Sequence, residues 1–84
     1  MIEEFCFHHD AGHAWLRVPI TLLRELKIRD SISEYSYRRV GSAYLEEDCD
    51  APRFIEAMKA VGREVKVVDV NDGNTSAIRS YRRF

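Results

Sequence analysis

The sequence predicts an α+β domain, a mostly antiparallel sheet carrying two helices in the order β-β-α-β-β-α-β. Three observations lead there: two pairs of alternating segments flank turn formers, two stretches carry helical apolar spacing, and a valine-rich run follows the second stretch.

Residues Ile2 to His8 alternate, with Phe5 and Phe7 on one side and Glu4, Cys6 and His8 on the other. Ala14 to Val18 alternate as well, and His9-Asp10-Ala11-Gly12 supplies the turn of a β-hairpin. A register with Glu4 opposite Arg17, Phe5 opposite Leu16, Cys6 opposite Trp15 and His8 opposite His13 fits both patterns. It puts Phe5, Phe7, Leu16 and Val18 on the core face, and a slip of one residue would bury Glu4 and Arg17. Pro19 then suits the first turn of a short helix running to Lys27, with Leu22, Leu23 and Leu26 as its apolar stripe.

Ser31 to Glu47 reads as a second hairpin. Ser33, Tyr35 and Tyr37 share one face, Val40-Gly41-Ser42 turns, and Ala43 to Glu47 returns. Leu45 argues for a core on one side, Tyr44 and the other tyrosines for the opposite side. Asp50 is a candidate N-cap of the second helix, which holds Pro52 in its first turn. Phe54, Ile55, Met58 and Val61 face its core, and Gly62 stops it. Val65, Val67, Val68 and Val70 form the strongest strand, whose parity break at Val67-Val68 predicts a bulge or burial on both faces. Asn71-Asp72-Gly73-Asn74 is a turn, and residues 78–84 are a last strand or a loose end.

Eighty-four residues make one domain, 1–84, and 45% apolar content supports one core. So small a chain buries a modest share of its surface, so a second copy of the chain is one partner to keep open. Thirteen basic and 14 acidic side chains leave a net charge of −1, too little for non-specific phosphate attraction to dominate. Cys6 and Cys49 form no disulfide framework, the start lacks a signal-peptide pattern, and no apolar run spans a membrane. A cytoplasmic protein with reduced thiols and no membrane partner is expected.

Chemistry concentrates in Tyr44-Leu45-Glu46-Glu47-Asp48-Cys49-Asp50-Ala51-Pro52, which packs four carboxylates into five residues. On a strand Glu46 and Asp48 share a face while Glu47 points away, so only part of the cluster converges. The ordinary explanation is a helix start, with Asp50 as cap and Glu47 and Asp48 favouring the helix dipole. The functional one is an acidic recognition edge, Glu46, Glu47 and Asp48, flanked by Tyr35, Tyr37 and Tyr44 as anchors for a protein partner. The basic features, Arg38, Arg39, Arg79, Tyr81, Arg82 and Arg83, interleave arginine with tyrosine and suit phosphates and bases. They equally suit the acidic edge of another copy. Cys6, His8 and His13 share a hairpin face and are the candidate metal ligands, although their spacing matches no standard zinc motif. No phosphate loop, nucleophile elbow or C-x-x-C is present, so neither a cofactor nor an enzymatic centre is expected.

The segments His9-Asp10-Ala11-Gly12-His13-Ala14-Trp15-Leu16-Arg17-Val18-Pro19, Ile32-Ser33-Glu34-Tyr35-Ser36-Tyr37 and Ala43-Tyr44-Leu45-Glu46-Glu47-Asp48-Cys49-Asp50-Ala51 occur in that order. Together, over roughly residues 8 to 60, they resemble a family of short uncharacterised bacterial open reading frames, grouped as a domain of unknown function and found on chromosomes, plasmids and phage-like elements. The family has no assigned activity, so the resemblance implies a setting and carries over no catalytic residue. Small proteins from that setting are often adaptors or inhibitors of host defences. The leading expectation is a non-enzymatic protein-binding module acting through the acidic edge, anti-CRISPR-like if phage-borne. The alternatives are a small nucleic-acid-binding or regulatory protein using the arginines, and a metal-dependent enzyme at the first hairpin.

Overall fold

The computed structural model describes residues 2–84. Its strands are β1 (Ile2–His9), β2 (Ala14–Pro19), β3 (Tyr37–Arg39), β4 (Ser42–Glu46), β5 (Glu64–Asn71) and β6 (Arg82–Arg83), and its helices are α1 (Ile20–Glu25) and α2 (Asp50–Ala60). The six strands form one mixed sheet in the order β5-β1-β2-β4-β3-β6. The sheet is antiparallel except where β1 and β5 run parallel. The chain is thus α+β with two helices, as expected, but its element order gains a sixth strand at the carboxyl end.

Both faces of the sheet are covered, by different means. Phe5, Leu16, Val18, Ala43 and Leu45 turn toward α1 and α2 and pack with Leu22, Leu23, Ala51, Phe54 and Met58. Phe54 meets Phe5 edge-to-face at 5.1 Å. On the opposite face Trp15 and Tyr44 pack with Ile78, bordered by Tyr37 and Tyr81. Leu45 and Tyr44 therefore serve two separate cores, which is why the sequence argues for both sides of β4 at once.

The first hairpin keeps the expected faces but pairs two residues further along. Phe7 lies opposite Leu16, His8 opposite Trp15 and His9 opposite Ala14. A two-residue shift preserves side-chain parity, so patterning alone does not distinguish the two registers. The turn decides it: Asp10 Oδ1 accepts from the backbone N–H of Gly12 and of His13, both at 3.0 Å, and Asp10 N donates to His13 O. The expected Glu4–Arg17 pair is absent; Glu4 lies 4.0 Å from Lys66 on β5, and Arg17 Nε donates to Ser42.

The second hairpin is shorter than predicted. Residues Arg29–Ser31 form a 3-10 turn, Ser33 and Tyr35 lie outside any strand, and pairing starts at Tyr37. Its turn is Val40-Gly41, with φ of 46° and 80°, the mirror-image geometry that matches strand twist. Pro19 closes β2 opposite Ser42, leaving α1 only six residues. Both helices end in the same motif: Lys27 (φ 61°) and Gly62 (φ 74°) donate to Arg24 O and Lys59 O, and Ile28 and Arg63 donate to Leu23 O and Met58 O. Val61 falls in that C-terminal turn, so it is exposed where a core position was expected.

Asp50 does not cap α2. It begins the helix, fully buried, and its carboxylate accepts from Ser33 N, Ser33 Oγ (2.7 Å) and Ser36 Oγ. Ser36 Oγ in turn accepts from Glu46 N at 2.9 Å, tying the loop before β3 to the end of β4. The valine strand β5 has neither a bulge nor two buried faces. It pairs with β1 in unbroken register from Ile2–Glu64 to His9–Asn71 and lies at the sheet edge, leaving Val67 and Val68 exposed. No helix among the described residues is long and apolar enough to cross a membrane.

Candidate functional site

The aromatic face of the sheet is closed by residues 72–84, and one side chain organises the closure. Besides holding its own turn, Asp10 accepts from Ser76 N (2.9 Å), Arg79 Nε (2.6 Å) and Arg79 Nη2 (2.9 Å). The two-pronged guanidinium contact and these backbone donors hold the Asp10 carboxyl well below the usual carboxylate range, Arg79 being the largest cause. A Cβ on Gly12 would lie 3.0 Å from Arg79 Nη2, so the glycine leaves room for the clamp. Arg79 then lies over the Trp15 ring, 5.3 Å from its centroid.

A second carboxylate reinforces the same segment. Asp72 accepts from Ser76 Oγ (2.7 Å) and from His8 Nδ1 (3.1 Å). Burial pushes the Asp72 carboxyl up, but the Ser76 and His8 hydrogen bonds outweigh it and the net shift is downward. The trio is not a nucleophile–base relay. The serine hydroxyl donates to the carboxylate, and its oxygen also accepts from Ile78 N, so it is spent on structure.

Between this clamp and the end of β4 opens a pocket of about 430 Å³, lined by His13, Trp15, Tyr35, Tyr37, Glu46, Asp48, Cys49, Arg79 and Arg83. Trp15 forms its floor, 2% exposed and edge-on to Tyr37 at 6.1 Å. Arg83 lies 5.2 Å over the Tyr37 ring and donates to Glu34 O. Tyr35, 61% exposed, stands at the rim. Glu46 Oε2 accepts from Asp48 N at 3.1 Å, which turns the acidic run around the pocket instead of splaying it along a strand. Among the described residues Glu46, Glu47 and Asp48 enter no ion pair, whereas Arg79 is neutralised by Asp10. Arg83, which also enters no ion pair among the described residues, lines the same pocket, so there the uncompensated carboxylates Glu46 and Asp48 outnumber the uncompensated cation.

The structure redistributes the residues singled out in the sequence. Glu46, Asp48, Tyr35 and Tyr37 converge on the pocket; Tyr44 is 7% exposed beneath Tyr81 and offers no free surface. Arg79 and Arg83 line the same pocket, while Arg38, Arg39, Tyr81 and Arg82 gather at another groove. The hairpin set Cys6, His8 and His13 is separated: Cys6 is exposed and His8 is bound to Asp72. His13 instead groups with Glu46 and Glu47, their candidate ligand atoms lying within 4.8 Å of one another. Sequence reading overlooked Trp15 as the floor and Asp10 as the hub. The Asp-x-Gly turn signals a bend, but nothing local announces partners more than sixty residues away. Comparisons with protein-family models, curated proteins and solved structures gave no match, so the site stands on its geometry alone.

Proposed function

We propose that this chain is a non-enzymatic protein-binding module whose docking surface is the Trp15 pocket and its acidic rim. The observation that carries this reading is the convergence of Glu46, Asp48, Tyr35 and Tyr37 on one pocket, with the carboxylates in no ion pair among the described residues. Exposed tyrosine and arginine around a concave centre are among the residues that dominate binding energy at interfaces. The partner it fits is a protein segment presenting lysine or arginine to Glu46, Glu47 and Asp48, with an apolar or aromatic side chain against Tyr35 and Tyr37 at the rim. An inhibitor that occupies the basic nucleic-acid channel of a bacterial defence complex is one form of such a module.

The test compares wild type with the Glu46→Lys/Glu47→Lys/Asp48→Lys variant in quantitative capture from bacterial lysate, followed by titration of the captured partner at low and high salt. The expected result is loss of the partner by the variant and salt-weakened binding by wild type, with the variant's circular dichroism unchanged. A variant that binds the same partner with the same salt dependence rejects the reading.

A further inference from the structure

The far edge of the sheet concentrates arginines that stack on aromatic rings, Arg38 on Phe84, Arg39 on Tyr81 and Arg83 on Tyr37, without any carboxylate to offset their charge among the described residues. β3 and β6 place Arg38 directly opposite Arg82 and Tyr37 opposite Arg83. Like charges facing each other across strands are unfavourable, so this register sets repulsion into the fold. Among the described residues Arg38, Arg39, Arg82 and Arg83 form no ion pair, in a chain with more acidic than basic side chains. Arg38 Nε is in addition buried without a hydrogen-bond acceptor among those residues. A buried donor lacking an acceptor is costly, and its natural complement is an anion.

The space beside these groups has the right shape and lining. Arg38, Arg39 and Arg82 border a groove of about 600 Å³ with Ile20, Ser80 and Tyr81, at the Val40-Gly41 turn, and no carboxylate among the described residues lines it. Arg39 lies 5.0 Å over the Tyr81 ring. Guanidinium planes and a half-buried tyrosine offer stacking surfaces as well as charge.

We infer that this groove binds the phosphate backbone of a single-stranded nucleic acid, independently of the Trp15 pocket. A single strand is favoured over a duplex because its base faces are free to stack on the guanidinium planes, Arg39 being held over Tyr81. Binding through three arginines also needs no large positive field from the whole molecule, which this chain lacks.

The test is fluorescence anisotropy with a labelled thymidine oligonucleotide across a salt series. Three phosphate contacts predict a slope of about −2 in log affinity against log salt, or roughly a 20-fold loss between about 50 and about 200 mM salt. The Arg39→Gln/Arg82→Gln variant, checked for an unchanged fold by circular dichroism, is expected to weaken binding and reduce the slope to about −0.7. No binding at low salt, an unchanged slope in that variant, or equal competition by an unlabelled duplex overturns the proposal. The acidic-rim variant addresses different residues, so either proposal fails without the other.

Discussion

The two faces of the sheet are sealed by different physics. Toward the helices, ten buried side chains, all but Phe5 and Leu22 at most 4% exposed, exclude water through area and close packing. Toward the carboxyl end, the apolar cluster among the described residues holds just Trp15, Tyr44 and Ile78, and the covering segment is fastened by Asp10 and Asp72. An apolar core is indifferent to pH and loses stability in proportion to volume removed. A clamp made of a few charge-assisted hydrogen bonds is local, directional and titratable. The candidate docking pocket sits against the second kind of surface, where one side chain governs its outline.

The largest expected effect lies on the helix face. Phe54→Ala removes a fully buried ring and should cost about 3–5 kcal/mol in denaturant unfolding, with probes on both faces lost together. If Trp15 fluorescence kept its own unshifted transition, the faces would be energetically separate and the contrast would need redrawing.

Asp10→Asn acts on the other face only. It is expected to leave the helix signal largely intact while shifting Trp15 emission and speeding trypsin cleavage after Arg79. The sign of the pH response follows from Asp10's lowered pKa. Its contribution is complete above the ordinary aspartate value and falls away as pH drops below it. Protection of the Ser76 amide, which donates to Asp10, from hydrogen exchange should therefore hold in the wild type from neutral pH to about 4 and fall only below that, while the Asn variant is already less protected at neutrality. Equal cleavage rates for the two proteins would remove Asp10 from its role as hub.

The smallest effect belongs to a residue on neither core. Val40 holds φ at 46° while 94% exposed, a conformation that a β-branched side chain resists and asparagine tolerates. Val40→Asn should stabilise by about 1 kcal/mol, raising the melting temperature by roughly 4–8 °C. Both faces' probes should move together, since the turn joins strands common to the two cores. A drop in melting temperature would mean that Val40 makes a contact its exposure hides.

What the sequence made legible was whatever depends on near neighbours. Alternation placed Phe5, Phe7, Leu16 and Val18 on one face, and Gly62 marked the stop of α2 through its need for positive φ. Side-chain parity is blind to a two-residue slip, so the hairpin register was settled by Asp10's bonds to its own turn. Composition also misled: the parity break at Val67-Val68 read as a bulge or as burial on both faces, yet β5 pairs without a break at the sheet edge, because burial depends on what covers a strand. The acidic run was legible as a charge cluster. Its curl around a pocket rests on the Asp48 N–H donated to Glu46 and on Ser33 and Ser36, whose partners are set by tertiary contact.

The parallel pairing of β1 with β5 has a consequence for assembly. β1 finds one neighbour almost at once, across the first turn, and its other neighbour only after residues 10–63 have intervened. Closing so wide a loop is entropically slow compared with zipping up hairpins. Folding is therefore expected to begin among β1, β2, β4 and the short helices and to end with β5 sliding in, after which the carboxyl-terminal strap latches across the aromatic side.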